Sequence, residues 1–91
     1  MRKKITVKAL NEKLLTIETV CSDNNIVLVK MTGDFFLYPE ESLLILENAL
    51  IGLPYNEQVI REKLRETIRI HHIRLFGISE NSILSAIMYE G

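Results

Sequence analysis

The residues able to do chemistry in this chain are few and poorly grouped. His71 and His72 are its only imidazoles. Neighbouring helical side chains diverge by about 100°, whereas helical histidines that share a metal sit at i and i+4. The pair therefore reads as one inward and one outward histidine. Arg61, Arg65 and Arg69 recur at i+4 spacing. Such a row could hold a phosphate or an adenylate by charge-assisted bonds, and it equally describes the solvated face of a helix. Glu40 and Glu41 follow Pro39 directly, where carboxylates complement the positive end of a helix without being acid–base catalysts. Cys21 is the lone cysteine, with no activating base nearby in sequence, and reads as a small apolar strand residue. There is no Gly-rich phosphate loop, no Ser–His–acid set and no cluster with metal-ligand spacing. The expectation is no catalytic residue, no metal and no cofactor held by this chain.

Positioning these side chains is the task of a small α+β domain. Ile5, Val7 and Ala9 alternate with Thr6 and Lys8, as in a strand with one buried face. Leu15, Ile17, Thr19 and Cys21 repeat that pattern. "SDNN" (Ser22–Asn25) supplies turn residues that tolerate left-handed backbone. "IVLVKMTGDFF" follows at once, so the two strands form a hairpin, and the first run completes a three-stranded antiparallel meander. The third strand sets Val27, Val29, Met31, Gly33 and Phe35 on one face. Ile26, Leu28, Lys30, Thr32, Asp34 and Phe36 take the other. Gly33 inside a strand marks a bulge or a close backbone approach, and should end regular pairing.

About three helices should pack on this sheet. Pro39 suits the first turn of one that runs to Leu50 or Ile51, with Gly52 as its left-handed stop. Leu43, Leu44, Ile45, Leu46, Ala49, Leu50 and Ile51 leave only a narrow polar strip at Glu47 and Asn48, which invites a contact beyond the sheet. Asn56 caps a second helix over about Glu57 to His72, with Ile60, Leu64, Thr67, Ile68 and His71 inward. "LFGIS" is a short extended link or a further strand. Ser79 caps a last helix that buries Ile83, Leu84, Ile87 and Met88.

Composition sets the class. Residues 1–91 form one domain, long enough to bury roughly 60–70% of its unfolded-chain surface. A net charge of -1 gives no reason to expect nucleic acid or an anionic membrane. The charge is zoned, however: residues 31–55 carry four acids and no base, and residues 1–13 carry five bases and one acid. A single cysteine permits no intrachain disulfide and fits a reducing cytoplasm. "MRKK" leads into alternating residues rather than a signal sequence, and no apolar run is long enough to span a membrane.

The stretch "TGDFFLYPEESLLILENALIGLP" (Thr32–Pro54) resembles the accessory domain of lipoate–protein ligases. There a hairpin strand ends in a Gly-Asp-Phe-Phe type motif, matched by Gly33, Asp34, Phe35 and Phe36. A Pro-led helix follows with a Leu-Glu-x-x-Leu element and a closing Gly, matched by Pro39, Leu46, Glu47, Leu50 and Gly52. "GISENSILSAI" (Gly77–Ile87) is similar to a later family segment. The likeness implies the separate small subunit of a bipartite ligase. It implies a large catalytic subunit that binds lipoate, ATP and Mg, forms lipoyl-adenylate and acylates a lysine of a lipoyl-domain or glycine-cleavage H protein. It further implies that Gly33, Asp34, Phe35, Phe36 and Pro39 form a partner interface or a turn motif. Asp34 is expected to order that turn or to meet a donor on the large subunit. The residue reading alone leaves two alternatives: a homo-oligomeric α+β interaction domain, or an adenylate-binding module using the arginine row.

Overall fold

The computed structural model describes residues 1–90. Strands β1 (Arg2–Val7), β2 (Leu15–Ser22) and β3 (Asn25–Gly33) form the antiparallel meander, in the order β1-β2-β3. Asp23 and Asn24 make the two-residue turn between β2 and β3 because both accept left-handed backbone, at φ 52° and 64°. Leu15, Ile17, Thr19 and Cys21 are buried on one face of β2, as the alternation requires.

β3 departs from the expected face. Val20 pairs with Leu28 and Cys21 with Ile26, so Val27 is an extra residue in the ladder. One extra residue reverses the alternation. Ile26 is consequently buried and Val27 exposed, while Val29 and Met31 still point inward. The strand ends at Gly33, and Phe36 belongs to a second sheet. Strand β4 (Phe36–Tyr38) pairs antiparallel with β5 (Arg74–Phe76), in the short segment that the sequence left as a link or a strand.

The helices cover the inner face of the meander. α1 (Ser42–Leu50) packs on β3, α3 (Glu80–Met88) packs on β1 and β2, and α2 (Glu57–Ile70) lies against both α1 and α3. Contrary to expectation, α1 does not start at Pro39. The Tyr38–Pro39 peptide is cis, and the Pro39 carbonyl accepts from Ser42 N at 2.9 Å, closing a turn over Pro39–Glu41 before the helix begins. Glu40 and Glu41 therefore precede the first helical turn instead of occupying it. α1 also covers the outer edge of β3. Glu47 Oε2 accepts from Met31 N at 2.8 Å, and Ile26 exchanges backbone bonds with Gly52 and Leu53. An open strand edge invites foreign pairing, and these contacts close it. Within α1, Leu46 and Leu50 are buried and Leu43 and Ile45 partly so, whereas Leu44 remains exposed.

α2 begins where Asn56 accepts from Val59 N at 3.1 Å. It stops at Ile70, before the expected end. His72 adopts left-handed backbone at φ 52°, and Ile73 N donates to the Ile68 carbonyl at 2.9 Å, which turns the chain back into the core. Both histidines are left exposed, so the expected inward placement of His71 does not hold. α3 opens on a reciprocal cap: Ser79 Oγ accepts from Ser82 N, and Ser82 Oγ accepts from Ser79 N.

Candidate partner-docking face

The second sheet is fixed to the first at the dipeptide Lys13–Leu14. Gly33 has φ 149°, and a Cβ there would lie 2.2 Å from the Leu14 carbonyl oxygen. Only a residue without a side chain fits that approach. The next amide, Asp34 N, donates to the same oxygen at 3.1 Å. On the other side, Lys13 N donates to the Gly77 carbonyl at 2.6 Å. The segment entering β4 and the segment leaving β5 are thus held by adjacent residues of one loop.

This clamp divides the phenylalanine pair. Phe35 is half-buried and packs against the core, whereas Phe36 is 62% exposed. Side chains alternate along a strand. Leu37 accordingly points inward and is buried, while Phe36 and Tyr38 share the outer face of β4. The register sets Phe76 opposite Phe36 and Arg74 opposite Tyr38. The Phe36 and Phe76 rings stack with centroids 4.6 Å apart and planes 9° from parallel. Beside them, Phe35, Phe36, Leu37, Glu40 and Leu43 line a shallow hollow of about 360 Å³. Half-buried Pro39 opens the turn that leads from β4 to α1.

The structure brings Gly33, Phe35 and Phe36 together with Phe76, a residue that the sequence did not single out. The only signal for it was the extended "LFGIS" run. The Asp34 carboxylate is exposed and makes no hydrogen bond among the described residues, so backbone bonds order its turn. Glu47 likewise acquires a role that local pattern could not supply, because its acceptor serves a strand distant in sequence.

The other candidates stay apart from this face. Arg61 pairs with Glu57 at 3.0 Å and Arg65 with Glu80 at 2.7 Å. Exposed pairs of this kind contribute ~0–1 kcal/mol and describe a solvated surface. His71 borders a groove of about 560 Å³ between α1 and α2, where Lys63 pairs with Glu66 at 3.5 Å. Among the described residues, no group of three or more His, Cys, Asp or Glu could hold a metal ion. No helix among the described residues is long and apolar enough to cross a membrane. What the second sheet presents at the surface is a stacked aromatic pair on a clamped strand pair.

The family model of the bacterial lipoate protein ligase C-terminus matches residues 8–87, and the chain belongs to this family. No curated protein matches the sequence. Among solved structures, the chain resembles one from a structural analysis of an archaeal lipoylation system, a bi-partite lipoate protein ligase and its E2 lipoyl domain from Thermoplasma acidophilum. The TM-score is 0.81 at 21% identity, covering 99% of this chain and 100% of that one. At such identity the likeness establishes the fold.

Proposed function

We propose that this chain is the non-catalytic accessory subunit of a two-part lipoate–protein ligase. It works with a large catalytic subunit in the ATP-dependent activation of lipoate. The observation that carries this reading is the family match over residues 8–87, which is to the C-terminal part of the ligase. The resemblance to a chain of a bi-partite ligase supports a role in a separate polypeptide.

In the activation step, the lipoate carboxylate attacks the α-phosphorus of ATP. Lipoyl-adenylate forms and pyrophosphate leaves. In the second step, a lysine amine of the acceptor attacks the activated carbonyl, forming an amide and releasing AMP. Lipoate, ATP and Mg bind to the large subunit in this scheme, and the acceptor is a lipoyl domain or an H protein. The accessory chain acts by binding better to the adenylating conformation of its partner, which shifts the partner's population toward that conformation. A buried lone thiol suits a reducing compartment, and the cytoplasm is where we place the complex.

The test separates the two steps. Large subunit and acceptor are supplied either with lipoate and ATP or with preformed lipoyl-adenylate, each with and without this chain. The first reaction should require the chain and the second should proceed without it. Loss of transfer from preformed adenylate when the chain is omitted would overturn the activation role.

A further inference from the structure

We infer that the outer face of the β4–β5 pair is the surface that seats on the large catalytic subunit. Its occupant is an apolar recess on that subunit, with cationic side chains along the side facing β4. The inference rests on the accessory-subunit reading and adds the place and chemistry of contact.

Three observations carry it. Phe36, Tyr38 and Phe76 are 62%, 60% and 41% exposed and occupy one face of a two-stranded sheet. At typical aromatic side-chain areas they present on the order of 300 Å² of ring surface. An aromatic cluster of that size is a fitting centre for an interface of about 800 Å² per partner.

Charge then selects the occupant. Exposed Asp34 precedes β4 and exposed Glu40 and Glu41 follow it in the chain, whereas the cations are Arg74 on β5 and Lys13 beside Gly77. A second copy of this chain is the poorer occupant. Two such faces stacked together would carry six carboxylates against four cations, leaving two acids without a counter-charge. A recess with cations opposite β4 meets the acids directly.

Rigidity is the third observation. The strand pair is held at Lys13–Leu14 by the Gly33 approach and the Lys13–Gly77 bond, and the two rings stack on each other. A platform already ordered in the free chain loses little freedom when it is covered.

The experiment measures binding of the purified large subunit to this chain by calorimetry, with chain stability followed by thermal melting. Phe36→Ala and Phe76→Ala should each raise Kd about thirtyfold, as for a central aromatic anchor. Leu28→Ala, on the outer face of the meander, should leave Kd unchanged. The double variant Glu40→Lys/Glu41→Lys should slow association and reverse its dependence on salt. Amide exchange in the unaltered complex should show protection over residues 34–38 and 74–77, a readout independent of any variant. Wild-type binding with no protection there and unchanged Kd in both phenylalanine variants overturns this inference and leaves the accessory role standing. Absence of wild-type binding overturns the accessory role itself. A dimer of the isolated chain that Phe36→Ala dissolves assigns the face to self-association, and also overturns the inference.

Discussion

Replacing Gly33 by alanine tests the clamp that fixes the aromatic face. A Cβ at this position would lie 2.2 Å from Leu14 O, 3.1 Å from Leu14 C and 3.2 Å from Leu15 Cα. All three are backbone atoms, so no side chain can rotate away. The carbonyl must retreat by more than an ångström, which breaks the bond from Asp34 N and disturbs the pairing of Leu15 with Gly33. Strain from the backbone conformation amounts to ~1–3 kcal/mol, overpacking adds ~1–3 kcal/mol, and the lost hydrogen bond adds ~1 kcal/mol. The expected destabilisation is therefore about 3–7 kcal/mol, a fall in Tm of roughly 15–35 °C for a domain this size. Gly52→Ala is the matched control, because Gly52 also has positive φ, at 89°, but a Cβ there meets nothing within 4 Å. It should cost only ~1 kcal/mol. Calorimetric and urea unfolding of both variants gives the comparison. If the two losses agree within about 1 kcal/mol, conformational strain explains Gly33 and the close approach contributes nothing.

Glu47→Ala should lower stability by about 1–3 kcal/mol, because Met31 N loses its acceptor at the edge of β3. Glu47→Gln keeps an acceptor and should lose less than half as much; equal losses in urea denaturation would sink the edge-capping role. Asp34→Asn and Asp34→Ala should both melt within about 0.5 kcal/mol of wild type, since the exposed carboxylate has no hydrogen bond to lose among the described residues. A large drop in either would make that carboxylate structural. The isolated chain, given lipoate, ATP and Mg, should release no pyrophosphate, and detectable release in a coupled assay would place adenylating chemistry in this domain.

Local pattern made the meander legible. Alternation in β2 and the left-handed pair Asp23–Asn24 act over a few residues, and each specifies its own geometry. The caps at Asn56 and Ser79 were readable for the same reason. Alternation alone sets Val27 on the inner face of β3, whereas the bulge that turns it outward is a property of two strands that no periodicity within one of them reports. α2 ends earlier than its sequence suggests because His72 adopts a backbone conformation more usual for glycine. The candidate site was legible by half. The Gly-Asp-Phe-Phe segment stood out, but its partner ring on Phe76 depends on pairing across both α1 and α2. Glu47 was hidden likewise, since its acceptor role exists only once α1 lies along β3.

The β4–β5 ladder also fixes an order of events. Each strand has three residues, and the whole of α1 and α2 lies between them. Loop closure over such a span opposes pairing until other contacts have drawn the ends together, and a three-residue ladder returns little stability of its own. β2 and β3 meet through a two-residue turn and can zip early. The second sheet must wait for the helices. In pulse-labelled refolding, amides of β4 and β5 should accordingly gain protection after those of β2 and β3; simultaneous protection would contradict this order. On a growing polypeptide, β4 leaves the ribosome without its mate, and Phe36 has no ring to stack on until Phe76 has been made. The stacked pair thus cannot form before residue 76 has been made, so the aromatic platform is the product of a late, long-range contact within the domain.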